Sequence, residues 1–337
     1  MPSTKEQNRP KLIDSLGREI INLRISVTDR CNFRCTYCMP ADNVEFMDRD
    51  DLLTFEEIVR VANIVSGLGI HRLRLTGGEP LMRKDLAVLI GMLDEVEGID
   101  DIAMTTNAFF LKEHAHSLRK AGLQRLNISL DALDPEKFKH VNRRDCLQQV
   151  LDGLAVASQA GYKSIKINAV AIRNFSEGEI MKLVELGRSD GFEIRFIEFM
   201  PLDADQAWER DKVLFGAEII DIIKQKYDLI PIQDSLEIGP ASEYKFADGK
   251  GKVGVITAVS HPFCENCNRI RITANGQLRT CLFSTNEHDL KEPLRSGATD
   301  EDIAEKIRQA VAVKEAGHKI NMADFERPSR AMHAIGG

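Results

Sequence analysis

The sequence predicts an α/β protein with a six-stranded (β/α)6 partial barrel of the TIM type, followed by a C-terminal extension that carries its own set of cysteines. Six β-type runs alternate with amphipathic helical runs between residues 23 and 201, as in a parallel sheet. Each β-type run ends in a polar or glycine-rich stretch, and such ends converge at the mouth of a barrel. Beyond Pro201 the alternation stops, so the rest of the chain is expected to form an extension.

The individual elements follow from the spacing of apolar residues. Strands are expected at residues 23–28, 72–76, 101–106, 125–130, 164–171 and 193–199. Helices are expected at residues 55–68, 85–96, 112–121, 147–160 and 177–189. Thr54 precedes Glu57 by three residues, which predicts a capping box at the start of the first helix.

The polar strand ends favour a barrel over a doubly wound sheet. They include Thr-Gly-Gly-Glu-Pro at 76–80, Asn-Ile-Ser-Leu-Asp at 127–131 and Arg-Phe-Ile-Glu-Phe-Met-Pro at 195–201. A doubly wound sheet would concentrate its chemistry at one switch point, whereas here every strand contributes to it.

The C-terminal extension has a different pattern. A helix is expected at residues 217–226, a hairpin at 244–246 and 252–256 around Asp248-Gly249, and a helix at 300–312. We therefore divide the chain into an N-terminal tail (1–11), the partial barrel (12–201), the extension (202–326) and a C-terminal tail (327–337).

Composition limits the class of protein. The 337 residues are 43% hydrophobic and 29% charged, with no apolar run long enough for a membrane span and no apolar leader. A net charge of −7 argues against a broad nucleic-acid surface. Seven cysteines, six of them in two sets, suit metal binding in a reducing compartment, so the cytoplasm is the expected location.

The first cysteine set, Cys31, Cys35 and Cys38, is the most informative motif. A closed zinc site or an ordinary electron-carrying iron–sulfur cluster needs four protein ligands. Three thiolates around a four-iron cluster leave one iron open to a substrate or cofactor. Zinc remains the alternative interpretation of these three residues alone.

A glycine pair, Gly77-Gly78, follows the second predicted strand and precedes Glu79-Pro80. Two glycines let a ligand approach the backbone closely, and Pro80 is expected to keep the chain extended. The alternative is a simple turn between strand and helix.

The second cysteine set is Cys264, Cys267 and Cys281, again three residues. A second cluster with an open iron is one interpretation. A zinc site completed by His261 or His288 is the other.

Basic residues lie on the predicted strands. In an extended segment Arg269 and Arg271 project to one face, and Ile270 and Ile272 to the other. A solvated edge strand is the alternative interpretation of this segment. Further cations lie on or at the ends of the barrel strands: Arg24, Arg74, Lys166 and Arg195. Buried cations are costly unless they meet an anion, so several in one cavity indicate a polyphosphate.

These motifs resemble those of a known family. Cys-x3-Cys-x-Tyr-Cys followed by Gly-Gly-Glu-Pro resembles the radical S-adenosylmethionine (SAM) superfamily. Ser-Val-Thr-Asp-Arg-Cys-Asn at 26–32, Arg-Phe-Ile-Glu at 195–198, Cys-Asn-Arg-Ile-Arg at 267–271 and the terminal Gly-Gly resemble the GTP 3′,8-cyclase family of molybdenum cofactor biosynthesis. The resemblance covers residues 12–337.

The resemblance implies a role for each motif. Cys31, Cys35 and Cys38 would hold a 4Fe–4S cluster that binds SAM, and Cys264, Cys267 and Cys281 a second 4Fe–4S cluster that meets the guanine base. The SAM pocket would comprise Tyr37, Gly78, Glu79, Ser129 and Met200. GTP would be surrounded by Arg24, Arg74, Thr105, Lys166, Arg195, Arg269, Ile270 and Arg271. A catalytic role would fall to Arg195 and to the tail residues Gly336 and Gly337.

The implied reaction begins with reductive cleavage of SAM to methionine and a 5′-deoxyadenosyl radical. The radical takes hydrogen from the ribose 3′ carbon, which then bonds to C8 of the base and gives 3′,8-cyclo-7,8-dihydro-GTP. The expected partners are a low-potential reductant such as flavodoxin or ferredoxin, and cyclic pyranopterin monophosphate synthase as the next enzyme; a homodimer is allowed. The alternatives are a radical SAM peptide maturase, which usually has more C-terminal cysteines, and a metal-binding or electron-transfer protein.

Two positions depart from the family pattern. Ala108 stands where the family usually has Gly, which matters if the backbone there has a positive φ. Lys314-Glu315 replaces a more usual Lys-Pro. Neither departure is expected to touch a proposed ligand.

Overall fold

The alternation of strands and helices in the sequence is realised as one extended sheet. The structure, a computed structural model, describes residues 9–232 and 239–336. Within these residues the strands are β1 (Asn22–Ser26), β2 (Arg72–Thr76), β3 (Asp101–Thr106), β4 (Arg125–Ser129), β5 (Ser164–Ala171), β6 (Glu193–Glu198), β7 (Leu229–Pro231), β8 (Ser242–Phe246), β9 (Lys252–Ile256), β10 (Arg269–Ile272), β11 (Gln277–Arg279) and β12 (His288–Asp289).

Helices connect most of these strands. They are α1 (Phe55–Gly67), α2 (Leu86–Asp94), α3 (Leu111–Lys120), α4 (Pro135–Asn142), α5 (Leu147–Gln159), α6 (Glu177–Asp190), α7 (Gly216–Lys224), α8 (Lys291–Ser296), α9 (Asp300–Ala312) and α10 (Met332–Ile335). No helix in the described part of the chain is long and apolar enough to cross a bilayer.

The six predicted barrel strands pair in chain order. Among the described residues the sheet has the order β12-β11-β10-β1-β2-β3-β4-β5-β6-β9-β8-β7. Strands β1 to β6 are mutually parallel, and the sheet does not close on itself. The predicted α/β fold with a partial barrel is therefore confirmed.

The C-terminal extension is part of the same sheet rather than an appendage. Strand β10 adds parallel to β1 at one edge, and β9 adds parallel to β6 at the other. The predicted hairpin is present as β8 and β9, which pair antiparallel. Because strands of the extension cover both edges of the six-stranded core, they complete the walls of its lumen.

The helices bury their apolar faces against the outer face of the sheet. In α1 the buried residues include Ile58, Val61 and Val65, which belong to the same core cluster as Leu23 and Ile25 of β1. Full burial of such a side chain stabilises the fold by about 1.5–3 kcal/mol relative to exposure. The predicted capping box is confirmed, because the Thr54 side chain accepts from the Glu57 N–H and the Glu57 carboxylate accepts from the Thr54 N–H.

The loop after β3 holds Ala108 in the left-handed region. Its φ is +62° and its side chain is fully buried. The departure from the family pattern at this position therefore matters, because φ is positive. The backbone here favours glycine and tolerates alanine at a cost of about 1–2 kcal/mol.

We expect Ala108→Val to lower the free energy of unfolding of the apo-protein by about 2–4 kcal/mol, because a β-branched side chain adds crowding to the strained backbone. Ala108→Gly should stay within about 1 kcal/mol of the parent, because relief of strain offsets the lost methyl contact and the greater chain entropy of glycine. Urea denaturation followed by circular dichroism measures both. Equal stability of the Val variant and the parent would contradict a left-handed Ala108.

Candidate active site

A cavity of about 450 Å³ occupies the lumen of the partial barrel. On β1, β2 and β5 alternate residues line it, since successive side chains of a strand point to opposite faces. On β1, for example, Arg24 faces the cavity, whereas Leu23 and Ile25 are buried in the core. Cysteines of both sets line the same cavity, so the two predicted metal centres share one chamber.

The first cysteine set lies on the loop between β1 and α1. The backbone N–H of Cys38 donates to the carbonyl of Cys35 (2.9 Å), which makes the tight turn that brings the thiols together. The Cys35 thiol donates to the Asn142 side-chain oxygen (3.1 Å), and none of the three forms a disulfide. Burial raises the pKa of Cys31 and Cys38 to about 12. These thiols therefore stay protonated in the apo-protein and release protons when they bind metal.

The glycine pair packs against the start of this loop, at residues 28–30. A Cβ on Gly77 would lie 2.5 Å from the Thr28 carbonyl oxygen, and one on Gly78 would lie 2.3 Å from that of Arg30. The N–H of Gly78 donates to the Thr28 carbonyl (2.7 Å), and that of Glu79 to the Arg30 carbonyl (2.8 Å). The glycines are thus required for close contact between two backbones, and both also line the cavity.

Glu79 has a structural role in addition to its predicted role in binding a ligand. Its carboxylate accepts from the Leu81 N–H (3.1 Å), the Thr106 hydroxyl (2.7 Å) and the Asn107 N–H (2.7 Å). Burial raises its pKa to about 7 despite these hydrogen bonds. The expectation that Pro80 keeps the chain extended is wrong, because Pro80 begins a 3-10 helix that is capped by Glu79. A proline is tolerated at this first helical position, since the N–H that it lacks would have no partner within the helix.

The predicted SAM residues all line the cavity near the first cysteine set: Tyr37, Gly78, Glu79, Ser129 and Met200. Sequence reasoning missed their neighbours Asp131 and Asn107, although both lie in the polar strand ends that predicted the barrel. The Tyr37 hydroxyl donates to the Asp131 carboxylate (2.6 Å), and the Asn107 amide donates to Asn32 on the cysteine loop (2.9 Å). Burial raises the pKa of Asp131 to about 6.

Two members of the second cysteine set, Cys264 and Cys281, line the same cavity. Cys264 opens a 3-10 helix of three residues, and the Cys267 N–H donates to its carbonyl (3.1 Å). Among the described residues, no three His, Cys, Asp or Glu side chains are close enough to hold a single metal ion. His261 and His288, the two candidates for a fourth zinc ligand, are not among the described residues that line the cavity with Cys264 and Cys281. The donor set that faces the cavity is therefore made of thiols, which suits an iron–sulfur cluster.

Cys267 differs electrostatically from the first set. Burial alone would raise the pKa of its thiol, but the positive charges of Arg269 and Lys314 outweigh burial and lower it from 9.0 to about 7. The thiol is therefore largely ionised at physiological pH without metal.

We expect Cys267 to be alkylated at least about tenfold faster than Cys31 or Cys38 in the native apo-protein at pH 7.5, because the thiolate is the nucleophile. Mass spectrometry of peptides after brief iodoacetamide treatment measures the rates. Labelling in urea is the control, since unfolding should remove the difference. Equal labelling in the native protein would contradict the assigned charge environment.

Lys314, the residue of the 314–315 pair that keeps the family pattern, contacts the backbone of a residue in the predicted GTP set. Its ammonium group donates to the carbonyl of Arg269 (3.1 Å) and to that of Thr280. Arg269 belongs to the predicted GTP set, and Thr280 precedes Cys281. The segment thus lies directly behind the second cysteine set.

Three arginines stand side by side across three adjacent parallel strands. In the register of the sheet Arg24 pairs with Arg271 of β10 on one side and with Arg74 of β2 on the other. Neighbouring strands lie roughly 4.8 Å apart, so these guanidinium groups form a row, here called the arginine row. Strand β10 is flanked by β1 and β11, which excludes the solvated-edge interpretation of Arg269 and Arg271.

The arginine row is short of negative charge. Among the described residues none of its three members forms an ion pair with a carboxylate, and all three line the cavity. Burial and repulsion from neighbouring arginines lower the pKa of Arg24 well below its usual value, that of Arg74 to about 9 and that of Arg271 to about 10. Such crowding favours binding of a polyanion.

Lys166 and Arg195 are already paired with carboxylates. Glu193 forms ion pairs with Lys166 (3.3 Å) and Arg195, and Glu243 of β8 forms one with Arg195 (2.6 Å). Sequence reasoning missed Glu193 and Glu243, because the partners come from β6 and from a hairpin of the extension. Thr105 and Arg269 also line the cavity.

Two predicted residues are placed differently from the rest. The side chain of Ile270 is fully buried in the core opposite Leu23, so only its backbone can reach a ligand. Gly336 is buried with φ +84°, and its carbonyl accepts from the Arg271 guanidinium (2.9 Å). A Cβ there would lie 2.8 Å from the Thr76 hydroxyl. Gly337 lies outside the described residues.

Comparison with known families gives two matches that together span most of the chain. Residues 25–187 match the Radical SAM superfamily, and residues 192–320 match Molybdenum Cofactor Synthesis C. The boundary between them lies in the turn between α6 and β6.

Several curated relatives are similar over nearly the whole chain. A protein of Rhodopirellula baltica named GTP 3′,8-cyclase is 47% identical over 97% of this chain and 92% of its own length. Proteins of the same name from Streptomyces coelicolor and Moorella thermoacetica are each 42% identical, over 99% and 96% of this chain and 99% of their own lengths. Among solved structures, Streptococcus suis SuiB bound to S-adenosylmethionine has a TM-score of 0.63 at 16% identity, over 93% of this chain and 76% of that one, a likeness of fold alone.

Proposed function

The chain belongs to the GTP 3′,8-cyclase family, and on that premise we propose that it converts GTP to 3′,8-cyclo-7,8-dihydro-GTP while SAM is cleaved to methionine and 5′-deoxyadenosine. The reaction is the first step of molybdenum cofactor biosynthesis. The observation that carries the proposal is the arginine row, which crosses a cavity lined by cysteines of both sets. A triphosphate supplies the negative charge that this row lacks.

We assign the first cysteine set to a 4Fe–4S cluster that binds SAM. The three thiols are free, lie on one loop and face the cavity, and the neighbouring polar groups suit an amino acid and a ribose. The SAM pocket would comprise Tyr37, Gly78, Glu79, Ser129 and Met200. Asp131 fixes the Tyr37 ring through its hydroxyl, so we add Asp131 as a positioning residue.

We assign the second cysteine set to a 4Fe–4S cluster that meets the guanine base. GTP would then extend from Cys264, Cys267 and Cys281 towards the arginine row. The side chains proposed to bind it are Arg24, Arg74, Thr105, Lys166, Arg195, Arg269 and Arg271, with the backbone of Ile270. Glu193 and Glu243 hold Arg195 and Lys166 in position until the phosphates compete for them.

When bound, the clusters and SAM supply the electron and the 5′-deoxyadenosyl radical that no side chain provides. The chain itself orients both substrates, neutralises the triphosphate and excludes water from a cavity that is walled on both sides by the extension. Arg195 is proposed as a catalytic residue because it lines the cavity that cysteines of both sets share, and because Glu193 and Glu243 hold its guanidinium group in place. Gly336, held against Arg271 and Thr76, would bring the tail with Gly337 to the phosphate end.

The functional units and partners remain part of this proposal. We propose a partial barrel at residues 12–201, an extension at 202–326 and an active-site tail at 327–337, with residues 1–11 outside the catalytic unit. A reducing cytoplasm would keep the seven cysteines available for iron. Flavodoxin or ferredoxin would supply electrons, cyclic pyranopterin monophosphate synthase would accept the product, and a homodimer is compatible with the family.

Product analysis tests the proposed function. The protein is reconstituted anaerobically with iron and sulfide, reduced, and incubated with SAM and GTP, with ATP as the control nucleotide. We expect methionine, 5′-deoxyadenosine and a nucleotide of the same mass as GTP, because one hydrogen atom leaves C3′ and one electron and one proton are added back after the C3′–C8 bond forms. Conversion of ATP in place of GTP, or SAM cleavage with no new nucleotide, would contradict it.

A further inference from the structure

Lys314 is a buried cation that the reaction described above does not use. Only 4% of its surface is exposed. Its ammonium group donates to the carbonyl oxygens of Arg269 and Thr280, which lie 45 and 34 residues away along the chain. Arg269 follows Cys267 by two residues, and Thr280 immediately precedes Cys281. One side chain therefore ties together the backbones that carry two of the three cysteines.

Lys314 forms no ion pair with a carboxylate within residues 9–232 and 239–336, although its positive charge contributes to the lowered pKa of the neighbouring Glu315. The Glu315 carboxylate instead accepts from the Thr280 hydroxyl (2.6 Å). A buried ammonium group that meets only carbonyl dipoles is costly unless an anion lies nearby. Besides the Glu315 carboxylate, the positive charge of Lys314 acts on the thiols of Cys267 and Cys281, which become anionic when they bind metal.

Arg18 holds the backbone that follows Lys314. The Arg18 guanidinium donates to the carbonyl oxygens of Cys264 (2.9 Å), Ala316 (3.0 Å) and Glu315 (2.7 Å). A buried ion pair with Asp14 holds Arg18 in turn (2.5 Å). The residues from Lys314 to Gly317 thus form a rigid wall behind the second cysteine set.

Gly317 lies close to Cys264 of the second cysteine set. A Cβ at Gly317 would lie 2.9 Å from the Cβ of Cys264 and 3.2 Å from its sulfur. The wall is therefore in contact with the cysteine itself, and Lys314 approaches the same centre from the side of Cys267 and Cys281.

We propose that Lys314 is a positioning residue of the second cluster, which holds the segments of Cys267 and Cys281 together and favours the reduced, more negative form of the cluster through its buried charge. The inference rests on the proposed assignment of that cluster. A cluster with three thiolate ligands gains negative charge on reduction, and a fixed positive charge nearby stabilises the gain.

The test isolates the second cluster by replacing Cys31, Cys35 and Cys38 with Ala. In this background we compare Lys314→Gln, which keeps hydrogen-bond donors without the charge, Lys314→Met, which loses both, and Lys314→Arg, which keeps the charge. Lys319→Met is the matched control, because Lys319 is exposed and pairs with Asp324 (2.6 Å). Iron content and the midpoint potential from an electron paramagnetic resonance redox titration are measured.

We expect Lys314→Gln and Lys314→Met to make the midpoint potential more negative by at least about 59 mV. This shift corresponds to a tenfold change in the equilibrium constant for one-electron reduction. Lys314→Arg and Lys319→Met should stay near the parent. Loss of iron in the Gln and Met variants with retention in Arg would also support a required charge. An unchanged potential in Gln and Met, or loss of iron in all three Lys314 variants, would overturn it. Absence of iron from the parent background would instead refute the second-cluster assignment.

Discussion

Replacing Cys31, Cys35 or Cys38 by Ala is expected to reduce SAM cleavage by at least about a thousandfold, to the level without protein. The first cysteine set has three thiols, so the loss of one leaves an iron without its protein ligand. The nearby Asn142 and Asn32 side chains cannot replace it, because neutral amides bind iron poorly. Production of 5′-deoxyadenosine by the anaerobically reconstituted variants, measured by chromatography, decides the outcome.

Cys146→Ala is the matched control for this experiment. Cys146 is buried, whereas the first set is partly buried, and it is not among the residues that line the cavity. It lies at the start of α5 and makes no capping hydrogen bond through its side chain. This variant should keep its iron and its rate. The first-set variants should retain the iron of the second cluster alone. Undiminished 5′-deoxyadenosine from any of them would refute the assignment of the SAM site.

Arg24→Met is expected to weaken GTP binding by roughly 30-fold or more, because truncation of a buried charged partner costs about 2–5 kcal/mol. Arg24 is the middle member of the arginine row, between Arg271 and Arg74. Equilibrium binding of GTP to the reconstituted protein, measured by filtration or calorimetry, gives the affinity. SAM cleavage in the absence of GTP should be little affected.

The same variant should stabilise the apo-protein. Burial and repulsion from Arg271 and Arg74 lower the pKa of Arg24, so the folded apo-protein disfavours its charge. Removal of that charge should therefore raise the melting temperature while GTP affinity falls. Arg24→Lys, which keeps the charge, is the control and should not raise it. If the arginine row only stabilised the fold, Arg24→Met would instead lower the melting temperature.

The six barrel strands could be predicted because each combines apolar alternation with a polar end. Strands 72–76, 101–106 and 164–171 match the structure at both ends. The short helix α4 was not predicted, because its apolar residues, Phe138 and Val141, are too few to give a helical pattern. The cysteines and cations were also found, since their chemistry is visible in the residue types.

The juxtapositions within the site could not be predicted in the same way. Arg24 and Arg271 become neighbours only because β10 crosses over to pair with β1, and nothing in local propensity specifies that pairing. Likewise Glu243 meets Arg195 through the pairing of β9 with β6. The contacts of Lys314 could not be predicted either, because both of its carbonyl partners lie on distant segments.

Transfer of deuterium from GTP to the SAM-derived product tests most directly whether both substrates meet in the one cavity. GTP deuterated at the ribose 3′ carbon is incubated with SAM and the reduced, reconstituted protein, and 5′-deoxyadenosine is analysed by mass spectrometry. We predict one deuterium atom in 5′-deoxyadenosine, and none when the label is placed at the 2′ carbon. Unlabelled 5′-deoxyadenosine formed alongside consumed 3′-deuterated GTP would contradict a shared site for SAM and GTP.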